Sequence, residues 1–390
     1  MQFKKLALAG LGFAMAAAMA ACSTPAPAPS TTEAPATDTS TSAAPAAPDF
    51  TKVGIVLSDA SQPRWKMAEA QFKTAMPGAQ IMYSNNDTSV EAANVDSFIA
   101  QGVKVLIINS IDGAAAAAET DRAAAAGIPV IAYDRLIMNT KNVSYYVTFD
   151  SVQVGEAQGK YLADQAKASG QKGLNLYLFA GDVGDNNAFL FFQGAWSQLQ
   201  PLIADGTFNV VNSPQATQLK DTASLSRDQE SQIMGPITTL WKPDTAKTLA
   251  ETALAGATKA QKGTVYLLAP NDQTSAAMTD AFRADKDVTT IYSTGQDLAL
   301  ASVQYILDGK QSMTVFKDDK FLVQECVSLV GSIFAGTPAD TSVITTTYDN
   351  GTAQVPASAA EITVVTKDNV EQVANDSGLY TITNGQVAQK

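Results

Sequence analysis

The chain has 390 residues, 46% of them hydrophobic, with 26 Lys and Arg against 38 Asp and Glu for a net charge of −12, no histidine and two cysteines. An acidic balance without basic clusters argues against a nucleic-acid partner, because phosphate contacts need grouped Lys and Arg. The lack of histidine removes Ser-His-Asp and Cys-His nucleophile systems and the commonest zinc ligand.

Residues 1–21 carry Lys4 and Lys5, an apolar run over 6–18 and small residues up to Cys22. This is the pattern of a secretory signal peptide, too short for a stable membrane span. A cysteine directly after the small residues resembles a bacterial lipobox, which implies cleavage before Cys22 and lipid on its sulfur; an ordinary signal peptide with an incidental cysteine is the alternative. Residues 22–49 run almost wholly in Ser, Thr, Ala and Pro, a composition that cannot bury a core and suits a flexible tether. The expected location is extracytoplasmic, lipid-anchored at the outer face of the cytoplasmic membrane or in the periplasm. No later segment reaches transmembrane length.

From Lys52 onward strands and helices alternate. The patterning predicts strands over 53–57, 80–83, 103–109, 128–133 and 143–149, with helices over 63–76, 90–101 and 114–126. A second series follows, with helices over 152–168, 188–202, 244–257 and 275–283 and strands over 174–179, 208–211, 265–268 and 289–293. Repeated βα units imply an α/β fold of doubly wound parallel sheets. Two successive series imply two lobes, divided near Asp150, with a binding cleft between them. Cys326 falls in a predicted helix, where a buried, inert thiol is the expected state.

In such sheets ligands bind beyond the carboxyl ends of the strands. The buried-looking strand 128–133 ends at Asp134 and Arg135, a carboxylate and a guanidinium suited to a neutral, hydroxyl-rich ligand. Alone, the pair is equally a solvated ion pair or a turn former. Three strands of the second series end in the same way, before Gly181-Asp182-Val183-Gly184-Asp185-Asn186-Asn187, Pro270-Asn271-Asp272 and Gly295-Gln296-Asp297. Aromatics lie nearby: Trp65, Phe189, Phe191, Phe192 and Trp241. Flat side chains of this kind can cover the C–H faces of a sugar ring, although core packing is the expected place of Phe191, Phe192 and Trp196. The 182–187 loop has oxygen ligands but lacks the Gly and terminal Glu of an EF-hand, so no metal is expected.

The segments SQPRW (61–65), NSIDG (109–113), IPVIAYDRLI (128–137), VSYYVTFD with QVG (143–155), GDNNAF (184–189), TLWKPDTA (239–246), STGQD (293–297), TVFKD (314–318) and YDNG with VP (348–356) resemble the xylose-binding and multiple-monosaccharide-binding receptors of bacterial ABC importers. The resemblance spans nearly all of 52–380. It implies the type I periplasmic-binding-protein fold, two doubly wound lobes joined by a three-crossover hinge. It further implies ligand contacts at Arg64, Trp65, Asp134, Arg135, Asp185, Asn186, Asn187, Trp241, Asn271, Asp272, Asp297 and Lys317. Arg64, Asp134, Arg135 and Lys317 would belong to the first lobe and its hinge, the others to the second. The implied lobes are 50–150 with 316–342, and 151–315 with 343–390, with crossovers near 149–151, 315–318 and 342–350.

The resemblance implies a monomeric solute-binding lipoprotein, without enzymatic activity or cofactor, that captures a monosaccharide of the xylose, glucose, galactose or arabinose type and delivers it to an ABC transporter permease. A receptor for a membrane chemosensor or sensor kinase is the alternative. A glycoside hydrolase would also place carboxylates around a sugar, but needs an acid and a base or nucleophile at a defined separation. A sugar-sensing repressor would carry a helix-turn-helix in place of a signal peptide. One departure stands out: the Ser, Gln and Asp-rich stretch between Asn212 and Leu240 is longer by about a dozen residues than the family pattern. Loops this long are usually functional or disordered.

Overall fold

The computed structural model of the chain describes residues 47–390. The expected signal peptide, Cys22 and all but the last three residues of the tether lie outside the described residues. The first lobe opens with β1 (Val53–Leu57), α1 (Pro63–Ala75), β2 (Gln80–Tyr83), α2 (Thr88–Ala100), β3 (Val105–Ile108), α3 (Ala116–Ala125), β4 (Val130–Tyr133) and β5 (Val143–Phe149). Strands β1, β3 and β4 are buried at every position. Continuous Val, Ile and Leu runs in place of alternation are what a parallel sheet covered on both faces requires.

The chain then crosses into the second lobe through α4 (Ser151–Ser169), β6 (Leu174–Leu178), α5 (Asn186–Ala204), β7 (Phe208–Val210), α6 (Pro214–Gln218), α7 (Arg227–Met234), α8 (Pro243–Gly256), β8 (Gly263–Leu268), α9 (Asp272–Ala284), β9 (Val288–Ser293), α10 (Leu300–Leu307) and β10 (Met313–Phe316). It returns to the first lobe with α11 (Asp319–Ala335), β11 (Thr346–Asp349) and β12 (Gln354–Ala360), and ends in the second with β13 (Thr363–Thr366), α12 (Val370–Asp376), β14 (Tyr380–Thr383) and β15 (Gln386–Gln389).

The first sheet runs β11-β12-β5-β4-β3-β1-β2, parallel except for β11, and the second runs β7-β6-β8-β9, all parallel. The chain passes between the lobes after Phe149 and after Phe316. The third passage departs from the expectation. Residues 343–360, assigned to the second lobe by the sequence, form β11 and β12, and β12 adds to the edge of β5 through the pairs Ala357 with Tyr146 and Ala360 with Phe149. The crossover is therefore the two residues Glu361 and Ile362, after which β13 pairs antiparallel with β10. Ile362 packs against the cores of both lobes.

Helix α5 carries second-lobe residues toward the cleft, and its position is fixed by unusually close contact with α4. A methyl group on Gly155 would lie 1.9 Å from the Phe191 carbonyl oxygen, and one on Gly194 would lie 2.1 Å from that of Val152. Glycine here lets two backbones touch. The 212–240 stretch is folded: the turn between α6 and α7 is tied to α5, with Trp196 Nε1 donating to the Thr222 carbonyl at 2.9 Å and Gln200 Nε2 to that of Lys220 at 2.6 Å. Cys326 is buried on α11 in the first-lobe core, where burial pushes its thiol well up. Among the described residues no helix is long and apolar enough to cross a membrane.

Two buried glutamates lie against each other between α2 and α3. Glu91 accepts from the Ile111 amide at 2.9 Å. Burial and the Glu119 carboxylate hold Glu91 well above the ordinary range, and burial lifts Glu119 to about 7. Both acids are raised on folding, so their contribution is complete below the unfolded glutamate value and is lost as pH rises, that of Glu119 through about 7. Thermal unfolding is therefore expected at a lower temperature at pH 8 than at pH 5, with a smaller difference in Glu119→Gln. An unchanged difference in that variant would contradict the assignment.

Candidate functional site

A cavity lies between the lobes, lined by Gln62, Arg64, Trp65, Asp134, Arg135, Asp185, Asn187, Phe191, Trp241, Asn271, Gln296, Asp297 and Lys317. It sits beyond the carboxyl ends of β1, β4, β6 and β8, where the first turns of α1, α5 and α9 begin. Three of its non-glycine residues have left-handed backbone: Asp134 at φ 63°, Trp241 at φ 56° and Asp297 at φ 102°. Such conformations cost about 1–3 kcal/mol each and persist where the surroundings over-determine them, commonly at functional sites.

Asp134 shows how that is done. Its amide donates to the Val147 carbonyl at 2.8 Å, and its own carbonyl receives Tyr146 Oη at 2.9 Å, Thr148 Oγ1 at 3.0 Å and Asn187 Nδ2 at 2.7 Å. The last of these bonds spans the lobes. Further links across the cleft are Arg135 Nε to Asp185 Oδ2 at 3.1 Å, Arg64 Nη1 to Asp297 Oδ1 at 2.8 Å and the Gly113 amide to the Gly184 carbonyl at 3.1 Å. The described state is thus a closed one.

Arg64 is the electrostatic centre. Its guanidinium, 6% exposed, pairs with Asp134 at 2.5 Å, Asp297 at 2.8 Å and Asp319 at 3.0 Å. Burial opposes its charge, but the three carboxylates outweigh burial and raise its pKa. Lys317 Nζ reaches Asp297 at 3.0 Å. Burial alone would lift Asp297, yet Lys317 and Arg64 hold it below the usual carboxylate range. Burial raises Asp185 against the pull of Arg135, and it raises Asp319 to about 6 despite Arg64.

Three cations (Arg64, Arg135, Lys317) and three carboxylates (Asp134, Asp185, Asp297) line the cavity, so its lining is charge-balanced. Several buried polar atoms on it have no partner: Arg64 Nε, Trp65 Nε1, Trp241 Nε1 and Gln296 Oε1. Buried groups of this kind normally find one. Donors and an acceptor left over in a neutral cavity fit an uncharged ligand that both gives and takes hydrogen bonds. The aromatic walls are Trp65 on one lobe and, on the other, Trp241 edge-on to Phe191 with ring centres 6.3 Å apart.

Ten of the twelve residues expected at the site line the cavity, and two do not. Asn186 is turned away: its side-chain oxygen accepts from Arg227 Nη1 at 3.0 Å, and the same guanidinium lies 3.1 Å over the Phe189 ring. The long stretch thus reaches the cleft by bracing the start of α5. Asp272 is already saturated, accepting from Gln311 Nε2, Thr314 Oγ1 and the Ala299 amide; burial and Asp297 lift it to about 7. Trp65, grouped with the second lobe by the family pattern, stands on α1 in the first-lobe core.

Gln62 and Gln296 line the cavity without having been expected as contacts, Phe191 lines it while also packing in the second-lobe core where it was expected, and Asp319 completes the Arg64 cluster. Phe191 lies one helical turn after Asn187, a spacing that places both on one face of α5. Gln296 adjoins Asp297 within the same strand-end motif. Asp319, at the start of α11, has no local signal that sets it apart from Asp318.

Residues 53–338 match the family described as periplasmic binding protein domain. The chain belongs to this family. The multiple sugar-binding periplasmic receptor ChvE of Rhizobium radiobacter is 35% identical over 350 residues, covering 86% of this chain and 93% of the receptor. Among solved structures, a carbohydrate transporter solute binding protein from Chloroflexus aurantiacus in complex with D-glucose is 49% identical with a TM-score of 0.82, covering 85% of this chain and 98% of that one. An ABC transporter solute binding protein from Clostridium phytofermentans with bound β-D-glucose is 32% identical, with a TM-score of 0.73 and coverage of 84% and 98%. The two α/β lobes with parallel sheets are the type I architecture that the motifs implied.

Proposed function

We propose that this chain captures a monosaccharide, a hexopyranose of the D-glucose type, between its two lobes and delivers it to the permease of an ABC importer, tethered to the membrane by lipid on Cys22. The observation that carries the reading is the charge-balanced, aromatic-walled cavity with unpaired donors and an acceptor on its lining. The cavity is enclosed by side chains of both lobes, which favours one ring over an oligosaccharide. The glucose complexes of two relatives support a hexose over a pentose.

Each cavity carboxylate is held by a cation, Asp134 and Asp297 by Arg64 and Asp185 by Arg135. Carboxylates fixed as acceptors suit recognition better than proton transfer, and this supports binding without turnover. A sugar that pairs with both lobes would favour the closed state over an open one by its differential affinity. Micromolar binding, about −8 kcal/mol, asks for about −0.7 kcal/mol from each of the roughly twelve heavy atoms of a hexose, which requires near-complete enclosure.

Isothermal titration of the purified protein with D-glucose, D-galactose, L-arabinose and D-xylose is expected to give one site per chain, tightest for D-glucose and in the micromolar range. No heat with any of the four would overturn the reading.

A further inference from the structure

The C-terminal tail bears on the sugar site through one hydroxyl. Tyr380, in β14, is 2% exposed, and its Oη donates to the Leu298 carbonyl at 2.9 Å. Leu298 follows Asp297, and the two are consecutive left-handed residues, at φ 54° and φ 102°. A pair of this kind springs back unless held. Two of its restraints come from the body of the second lobe: the Asp297 amide donates to the Val315 carbonyl at 2.8 Å and the Ala299 amide to the Asp272 carboxylate at 2.8 Å. Those bonds bracket the pair on either side. The carbonyl between them is held by Tyr380.

The consequence lies in the cleft. Asp297 is the second-lobe carboxylate that meets both Arg64 and Lys317, so the direction of its side chain sets how the two lobes join around the cavity. The tail is also tied to the first lobe, since Tyr380 Oη lies 3.9 Å from Met67 Sδ on α1 and Lys320 Nζ, on α11, donates to the Ser377 carbonyl. We propose that Tyr380 is a positioning residue for Asp297, through which the C-terminal hairpin sets the grip of the closed cleft. This rests on the monosaccharide reading only for the identity of the ligand.

The test is Tyr380→Phe in the full chain, which keeps the ring in its pocket and removes the donor, with Tyr305→Phe as the control because the Tyr305 hydroxyl serves only an exposed bond to Asp280. A buried carbonyl deprived of its partner corresponds to about a tenfold effect. Tyr380→Phe is expected to weaken D-glucose binding about tenfold, mostly through faster dissociation, and to speed exchange of the Asp297 and Ala299 amides while those of β8 stay slow. Tyr305→Phe should match the unsubstituted protein. Unchanged affinity and unchanged amide exchange in Tyr380→Phe would overturn the proposal. So would acceleration spread equally to β8, since the role would then be general support. If the unsubstituted protein bound no sugar, the monosaccharide reading would fall, and local amide exchange would still decide the role of Tyr380.

Discussion

Arg64→Met is expected to abolish measurable sugar binding, a loss above about a hundredfold, and to lower the unfolding temperature. Methionine fills similar space but leaves Asp134, Asp297 and Asp319 facing one another with Lys317 as their nearest remaining cation, and Lys317 reaches only Asp297. Breaking a buried ion pair by removing one partner typically costs about 3–5 kcal/mol, because the other charge stays buried and uncompensated. The carboxyls would respond by taking up protons or by separating, and separation of Asp297 from Asp134 opens the cleft. Arg64→Lys should be nearly as damaging, since a point charge cannot hold three carboxylates that a planar fork spans. The double variant Arg64→Met with Asp319→Asn distinguishes the two losses. It removes one stranded charge, so it should recover part of the unfolding temperature and none of the affinity. Calorimetric titration and thermal denaturation read both, and an Arg64→Met protein that bound D-glucose normally would remove Arg64 from the site.

Strand-end chemistry was the most legible feature of the chain. A buried apolar run such as Val130–Tyr133 must end at the same edge as its parallel neighbours, so whatever follows it faces the cleft; that logic reached Asp134, Arg135, Asp185, Asn187, Asn271 and Asp297 without coordinates. Boundaries were less legible where a cap decided them. Helix α9 begins at Asp272 rather than Ser275 because Asn271 and Thr274 form a reciprocal cap, and this turns the Asp272 carboxylate toward α10 and β10, away from the cavity. The third crossover had no local signature. Strand β12 reads QVPASAA, with a proline and little β-branching, and it becomes a strand because β5, about 210 residues earlier, offers an open edge. A pairing of that separation is invisible to periodicity. The same holds for Arg227, whose meaning depends on α7 folding back onto Asn186 and Phe189.

Gly181→Ala is expected to cost at least tenfold in sugar affinity with the fold kept, through a single displaced ring. A methyl group on Gly181 would lie 2.1 Å from Trp241 Cη2 and 2.2 Å from Cζ2, well inside contact distance. The backbone has little freedom to yield. The Gly181 carbonyl receives Thr238 Oγ1 at 2.7 Å, while Ala180 exchanges bonds with Ile237 and Thr239 at 3.0 and 2.8 Å. Leu240 and Trp241 are already left-handed, at φ 53° and φ 56°, so a further twist there is costly. The indole must therefore move, and the space beside it is the cavity. Inserting a methyl group into a packed site costs about 1–3 kcal/mol, which the lobe can bear, whereas a ring pushed into the volume of the sugar opposes binding directly. Trp241→Phe in the same background makes room for the methyl group, so the double variant should bind better than Gly181→Ala alone, the non-additivity expected of two groups in contact. Intrinsic fluorescence provides a second reading, because Trp241 is one of only three tryptophans and its environment should change in Gly181→Ala before any sugar is added. Unchanged emission together with unchanged affinity would mean that the indole is not held against Gly181 in solution.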